Sequence, residues 1–477
     1  MAAADNLPPA GITLVADAGL RRLDDGRLLI GGSPLRIVRL SDRGADVVSA
    51  WFGGTVLADV KSARSLARRL IDAGMVHPRY AEGASPAVTA VVPSKDDAEM
   101  LDTLLASLDL PTIVVDDGSA DADGAAAVTR RHGAALVRRP SNGGPGAARM
   151  TGLAEVSTDL VVFIDTDIVL ADGWWPRLAS HFRDPAVVAV APRVRSVDGP
   201  TLRERYEREH SPLDIGDAPA SVGPRRSVAY VPSAVLAVRR AALLAVGGFD
   251  PALRVGEDVD LVWRLVAAGG QVRYAPEVVV EHRPRRSWSA VATQRHRYGG
   301  SAVELTRRHG SVVAPARCSR WSAAAWGLAA SGHPVVGTVL GAASGVALSR
   351  KLEGVPDAPR EAARIAGWGN LHAGTGLARA TSRVWWPVAL AGAAVSRRAR
   401  RAVVAAMVVP AAVDWWRGRR PADPVRSVAL RVADDMAYGS GVWAEAVRAR
   451  DLRALRPELV EWPGGRAAVE GDTVPRP

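Results

Sequence analysis

The stretch Leu160-Val161-Val162-Phe163-Ile164-Asp165-Thr166-Asp167 decides how this chain is read. Its apolar run, rich in β-branched and aromatic side chains, has the pattern of a strand buried on both faces, and two carboxylates stand at its carboxyl end. A solvated turn would account for Asp-Thr-Asp alone. Ile168-Val169-Leu170 is equally apolar, however, so the acidic pair lies between two buried segments. Val88 to Val92, Thr112 to Val115 and Ala135 to Val137 repeat the strand pattern upstream, with helix-compatible sequence between them. This alternation predicts an α/β domain with a buried, mainly parallel sheet and binding residues at the carboxyl ends of its strands. Asp116 and Asp165 both fall there.

Dehydrogenases share this architecture, but their Gly-x-Gly-x-x-Gly would directly follow the first strand, and Pro93-Ser94-Lys95-Asp96 stands there instead. Other fragments complete an ordered set: Val115-Asp116-Asp117-Gly118-Ser119, Asn142-Gly143-Gly144-Pro145-Gly146, Gly256-Glu257-Asp258 and Gln294-Arg295-His296-Arg297-Tyr298. Each alone has a plainer account: an Asp/Gly turn, a flexible loop, first-turn acids favoured by a helix dipole, an exposed basic helix. Together, carboxylates at strand ends can bind a base and ribose, a metal-diphosphate and an acceptor hydroxyl. Asp165 and its i+2 neighbour Asp167 project to one side and offer the oxygens that hard divalent ions prefer.

A length of 477 residues leaves material on both sides of this region, and 48% apolar against 23% charged residues supports packed cores. The net charge of +11 favours acidic partners such as a nucleotide diphosphate or anionic lipid. Only Lys61, Lys95 and Lys351 are lysines, so the arginine excess reflects composition as much as recognition, and a nucleic-acid role is discounted. Cys318 is the sole cysteine, which excludes an intramolecular disulfide and a four-cysteine metal site. Met-Ala-Ala-Ala-Asp at the start lacks the charge and apolar run of a secretory signal, and a cytoplasmic location is expected.

Residues 1–82 read as a small module. Gly11 to Ala16, Leu28 to Ile30 and Leu35 to Leu40 are short strands divided by Asp24-Asp25-Gly26 and Gly31-Gly32. Ser41 or Asp42 caps a helix carrying Val47, Val48 and Trp51, and a second helix runs from Val60 to Ala73 until Gly74 stops it. On Leu40-Ser41, Gly44 and Leu70 to Val76 the module resembles the winged-helix peptide-recognition modules of ribosomal-peptide modification systems. A structural or DNA-binding appendage is the alternative. Capture of an extended peptide at an exposed strand edge would be its physical basis.

Beyond an Ala/Gly/Ser/Pro linker at 81–86, residues 86–310 resemble the family 2 glycosyltransferases of GT-A fold. The resemblance implies that Asp116, with Asp117, holds the uridine of a UDP-sugar. Pro93, Gly143, Arg149 and Asp165 would complete the nucleotide-sugar site, with loop amides and Arg149 facing the diphosphate. Asp165 and Asp167 would bind Mg2+ or Mn2+, joined in some relatives by a histidine after the last strand, here His282. Asp258 corresponds to the base that takes the acceptor proton in an inverting transfer, beside Glu257. Gln294, Arg297 and Tyr298 match the Gln-x-x-Arg-Trp signature of processive β-glycan synthases except that Tyr298 replaces Trp, which weakens any expectation of processivity.

Past residue 310, Trp321 to Ala330, Val335 to Leu348, Val384 to Val395 and Ala402 to Val413 are small-residue apolar segments, each shorter than the ~20 residues of a membrane span. Two readings of 311–462 stand: a soluble helical domain, or interfacial helices at an anionic cytoplasmic membrane face, where the basic connectors and paired tryptophans at 385, 386, 415 and 416 fit. Residues 463–477 read as a flexible tail. The whole arrangement resembles the glycosyltransferases of the mycofactocin system, implying an actinobacterial enzyme that adds β-1,4-linked glucose from UDP-glucose to a peptide-derived redox cofactor precursor. A cell-envelope glycan or glycolipid transferase shares every motif. A peptide- or DNA-binding regulator with a degenerate transferase domain is the non-enzyme alternative, and the intact Asp165, Asp167 and Asp258 argue against it.

Overall fold

The computed structural model describes residues 6–83, 86–352, 354–418 and 422–461. Ala84 and Ser85 of the linker and the tail from 463 lie outside the described residues. The chain divides into two units, one running through Gly199 and resuming over His210–Pro284, the other formed by Pro200–Glu209 and the chain from Arg285.

The first unit opens with β1 (Thr13–Ala16), a meander of β2 (Arg21–Leu23), β3 (Leu28–Gly31) and β4 (Arg36–Arg39), then α1 (Asp42–Phe52), α2 (Lys61–Asp72) and β5 (Val76–Arg79), which returns antiparallel to β1. Ser41 is the cap of α1, its Oγ accepting from the Gly44 amide at 3.1 Å. The second expected helix is present, with Val60 and Ala73 as its caps rather than its ends. β2 and β5 escape the sequence pattern because Arg21-Arg22-Leu23 and Val76-His77-Pro78-Arg79 contain no apolar run. Trp51, Leu70 and Ile71 from the helices pack with Leu14, Leu29 and Val38 from the strands as one core.

This module has its own core yet is fastened to the domain after it. Fully buried Asp184 accepts from Arg68 Nη2 with both oxygens, at 2.6 and 2.7 Å, and from Tyr80 Oη at 3.2 Å. Its Oδ1 also accepts from the Ala186 amide. Arg226 Nη1 donates to the Asp72 and Ser33 carbonyls, and Ser221 Oγ to that of Ile71. Such charge-assisted contacts in a buried seam join the module and the central domain into one packed body.

The central domain contains β6 (Val88–Ser94), α3 (Ala98–Ser107), β7 (Thr112–Asp116), α4 (Ala122–Arg131), β8 (Ala135–Arg138), α5 (Pro145–Ala154), β9 (Leu160–Ile164), β10 (Ile168–Val169), α6 (Trp174–Ala179) and β11 (Val187–Ser196). After α7 (Leu202–His210), most of which belongs to the second unit, come β12 (Ala220–Val222), β13 (Val235–Arg239), α8 (Arg240–Ala245), α9 (Glu257–Ala267) and β14 (Gln271–His282). They build a nine-stranded sheet in the order β10-β14-β11-β13-β9-β6-β7-β8, with β12 also on β14. β8, β7, β6 and β9 are parallel, as the apolar runs predict, and β11 and β14 are parallel to each other. β13 runs antiparallel between β9 and β11, so its amino end shares the edge where the others finish. Every residue of β9 is buried, as expected for a strand covered on both faces.

The second unit is mainly helical: α10 (Trp288–His309), α11 (Arg320–Ala330), α12 (Pro334–Ser349), α13 (Ala358–Arg383), α14 (Trp386–Val395), α15 (Arg397–Arg417) and α16 (Pro424–Arg448), with β15 (Arg317–Ser319) parallel to β16 (Glu458–Val460). Among the described residues no helix is long and apolar enough to cross a membrane. The division falls at Pro284/Arg285 rather than at residue 310, because α10 packs tightly on α16. A Cβ on Gly441 would lie 1.8 Å from the His296 carbonyl oxygen, and one on Gly299 1.9 Å from that of Tyr438. Backbone atoms cannot rotate away as a side chain can. Gly441→Ala is therefore expected to cost about 2 kcal/mol, an overpacking penalty of roughly 3 less about 1 regained in helix propensity. Calorimetry would read this as a lower Tm for the helical unit; a Tm at or above the parent value would show that the helices separate without cost.

Candidate functional site

Because β6, β7 and β9 are parallel, the residues ending them gather at one edge. Ser94 pairs in register with Asp116 across β6 and β7, and Pro93, half-buried, with Val115. Asp116 is buried; its Oδ1 accepts from the Ser119 amide at 2.8 Å, which closes the Asp-Gly turn. Its Oδ2 makes no hydrogen bond, with Arg138 Nη1 3.5 Å away, and buried Ser94 Oγ is likewise unsatisfied. Buried polar atoms ordinarily have partners. Two without a hydrogen bond on neighbouring strands form a polar cradle able to receive a ligand's donors.

Asp117 faces the other way. Its Oδ1 accepts from the Gly143 amide at 2.9 Å and Arg139 Nε at 2.8 Å, and its Oδ2 from the Gly144 amide at 2.8 Å. The carboxylate is thus engaged in fastening the glycine loop. Gly144, at φ +90°, caps α5, and Pro145 occupies the first turn, where its missing N–H costs nothing. The amino end of α5 and its loop form an edge suited to anions. Arg254 reaches the same loop, its Nη2 3.5 Å from the Asn142 carbonyl.

Arg149, expected to face a diphosphate, is instead buried between two motifs. Its Nη1 donates to Glu257 Oε1 at 2.9 Å and its Nη2 to Asp165 Oδ1 at 2.7 Å, while the guanidinium lies over the Phe249 ring at 5.3 Å. Burial opposes its charge, yet Asp165 and Glu257 outweigh burial and hold its pKa above the ordinary value. Asp165 itself is about one-third exposed, at 34% of its side chain.

β10 pairs antiparallel with β14, with Ile168 opposite His282, and this sets His282 Nε2 3.0 Å from Asp167 Oδ2. His282 is buried and its Nδ1 has no hydrogen-bond partner. Among the described residues no three or more His, Cys, Asp or Glu side chains converge as a metal cage. Two carboxylates and an imidazole are nevertheless the donor types that Mg2+ or Mn2+ accepts when phosphate oxygens supply the remaining positions. The donor types suit a divalent ion, while the three side chains as placed do not converge on one point.

Glu257 and Asp258 open α9 behind Gly256, whose φ of +81° suits only glycine without strain. Asp258 Oδ1 accepts from the Val259 amide at 2.8 Å and Oδ2 from the Ser233 amide at 3.3 Å. The next residue, Ala234, accepts from the Asp165 amide at 2.9 Å, so the lead into β13 ties Asp258 to the Asp-Thr-Asp turn. Burial, with the Asp258 charge adding to it, pushes Glu257 up to about 7. Burial also raises Asp258, against the pull of two amides and Arg149. A half-buried carboxylate whose proton affinity burial raises, at a partly open edge, has the character of a general base.

Gln294, Arg297 and Tyr298 belong to α10 of the second unit. Gln294 Nε2 donates to Tyr298 Oη at 3.0 Å, while Arg297 is exposed. The buried member of that motif is Arg295, which donates to Asp434 Oδ1 at 2.7 Å. Ser94, Ser233 and Arg254 were not singled out by sequence. Ser94 had a signal, as the last residue of a strand; Ser233 had none, since its role is played by its amide.

Comparison with known proteins matches residues 86–301 to the family described as "Glycosyltransferase like family 2". The pre-mycofactocin glycosyltransferase of Mycobacterium tuberculosis, in two strains, is 40% identical over 468 residues, spanning 94% of this chain and 98% of that protein. An uncharacterized glycosyltransferase of the same organism is 30% identical over 214 residues, 42% of this chain and 88% of its own. A solved mannosyltransferase from Pyrobaculum calidifontis, in complex with GDP-Man and Mn2+, aligns over 61% of this chain and 82% of that one at 20% identity and a TM-score of 0.37, too slight a likeness to carry an argument.

Proposed function

Because the chain belongs to the family 2 glycosyltransferases, we propose that it transfers glucose from a UDP-sugar, with inversion, to a peptide-derived redox cofactor precursor of the mycofactocin type, extending it as a β-1,4-linked oligomer. The observation that carries the chemistry is half-buried Asp258, hydrogen-bonded to the Ser233 amide beside the Asp165-Thr166-Asp167 turn. The near full-length identity to the mycobacterial protein supports the acceptor class.

In this reading Asp116 Oδ2 and Ser94 Oγ take the hydrogens of the uridine, and Asp117 acts through the loop it fastens, aiming the Gly143 and Gly144 amides and the start of α5 at the diphosphate. Arg254 adds a cation above that loop. Asp165, Asp167 and His282 would hold Mg2+ or Mn2+, which when bound neutralises charge on the leaving UDP. Asp258 takes the proton of the acceptor hydroxyl as its oxygen bonds to the anomeric carbon. The bond to UDP breaks on the opposite face, and UDP departs with its electron pair. Arg149 clamps Glu257 and so fixes the start of α9, on which Asp258 stands.

A second reading, a cell-envelope glycan or glycolipid acceptor, draws on the exposed apolar helices of the second unit. Either reaction would run in the cytoplasm, at or near the inner membrane face. Incubating the protein with UDP-glucose, divalent metal and the peptide-derived precursor should give product masses raised by whole hexoses, lost on chelation. No hexose addition to that precursor, with transfer to lipid acceptors instead, would replace the first reading with the second.

A further inference from the structure

We propose that the helical unit carries a docking surface for an anionic lipid bilayer, formed where the turn between α14 and α15 meets the turn between α11 and α12. The two turns touch: a Cβ on Gly332 would lie 3.5 Å from Arg398 Cδ. Around this junction apolar side chains face water. α14, Trp-Pro-Val-Ala-Leu-Ala-Gly-Ala-Ala-Val, has no charged residue and no buried one, and it ends on Val395 at 87% exposure. The first turn of α12 presents Val335 at 75% and Val336 at 53%. Water-facing apolar residues concentrated this way mark an interaction surface. Pro334 and Gly337 of the same turn also line an apolar groove of about 650 Å³ with Trp326, Val346, Ala366 and Leu371, space suited to an acyl chain.

Charge decides what covers this surface. Arg397, Arg398, Arg400 and Arg401 are exposed at the start of α15, and none forms an ion pair among the described residues; Arg400 Nε only closes the turn on the Ala393 carbonyl at 3.1 Å. A second copy of the chain docked by the same patch would bring eight guanidinium groups face to face. Lipid phosphates complement them instead, while the valines enter the acyl boundary. No described helix can cross a bilayer, so the surface lies in the interface.

The test uses the full chain with vesicles of phosphatidylglycerol and phosphatidylcholine, and with vesicles of phosphatidylcholine alone. Sedimentation should show binding to the anionic vesicles that weakens as salt is raised. Replacing all four arginines by serine (R397S, R398S, R400S, R401S) should weaken it by about a thousandfold, from roughly 1 kcal/mol for each arginine at an anionic surface. Val335→Asp with Val395→Asp should weaken it comparably with the arginines in place. Unchanged circular dichroism and unchanged transfer to a soluble acceptor would certify both variants as folded. The proposal is overturned by a parent chain that ignores anionic vesicles, by variants that bind them as well as the parent, or by a vesicle-free dimer that the valine variant dissolves.

Discussion

Asp258→Asn is expected to lower kcat about a thousandfold while the KM for the UDP-sugar stays within about twofold, because the carboxamide keeps the shape and, through its one oxygen, one of the two hydrogen bonds from the Ser233 and Val259 amides, but cannot take a proton. Steady-state kinetics with a titration of donor binding would separate the two effects; a variant that binds donor and turns over at the parent rate would remove Asp258 as the base. The pH profile depends on the same pair. Glu257 sits near 7 and Asp258 is raised by burial, so below that range the pair holds a proton that ordinary carboxylates would have lost. The rate of the parent should rise with pH above the usual carboxylate range, as the pair gives up that proton, and then level off. Stability runs the opposite way. An acid whose folded pKa is raised favours the folded state while protonated, so the pair's contribution declines as pH climbs from the usual carboxylate range of about 4 towards 7. A flat rate profile between those limits would show that the pair does not govern transfer.

Arg149→Met should have the largest effect on stability. It removes the cation that bridges Asp165 and Glu257 and leaves Glu257 buried without its partner. Breaking a buried ion pair from one side costs on the order of 3–5 kcal/mol. The lower end applies here, because partly exposed Asp165 can turn to water and Glu257 can take a proton. Calorimetry should show a lowered Tm, with a smaller loss at acid pH than at neutral pH. Arg149→Lys should recover only part of it, since one ammonium cannot match the two-pronged bridge. If the Met variant melts with the parent at neutral pH, the bridge contributes nothing to folding.

The features legible in the sequence share a physical cause. Asp116, Asp165 and Asp258 were visible because each is a carboxylate at a local landmark, the end of an apolar strand or the start of a helix. The parallel strands were visible because burial on both faces leaves an unbroken apolar run. The inward turn of Arg149 was not, since its two partners are distant in sequence, and an arginine after a glycine loop reads equally well as an anion contact. Asp117 carried the same ambiguity: nothing in Asp116-Asp117 tells which carboxylate fastens the loop. β13 reads like any buried strand, and its reversed direction is a property of the assembled sheet. The allegiance of α10 to α16 depends on Gly299 and Gly441, whose meaning emerges only when the helices meet.

The seam around Asp184 bears on how the protein comes apart. A carboxylate with no access to water, held by Arg68 and Tyr80 from the amino-terminal module, makes each half of that body depend on the other for its solvation. The module and the central sheet therefore melt as one cooperative block. Trimming the chain to its central domain would strand a buried anion at the entrance to β11 and yield a weakened domain, so the module sits on a fixed mount rather than a tether.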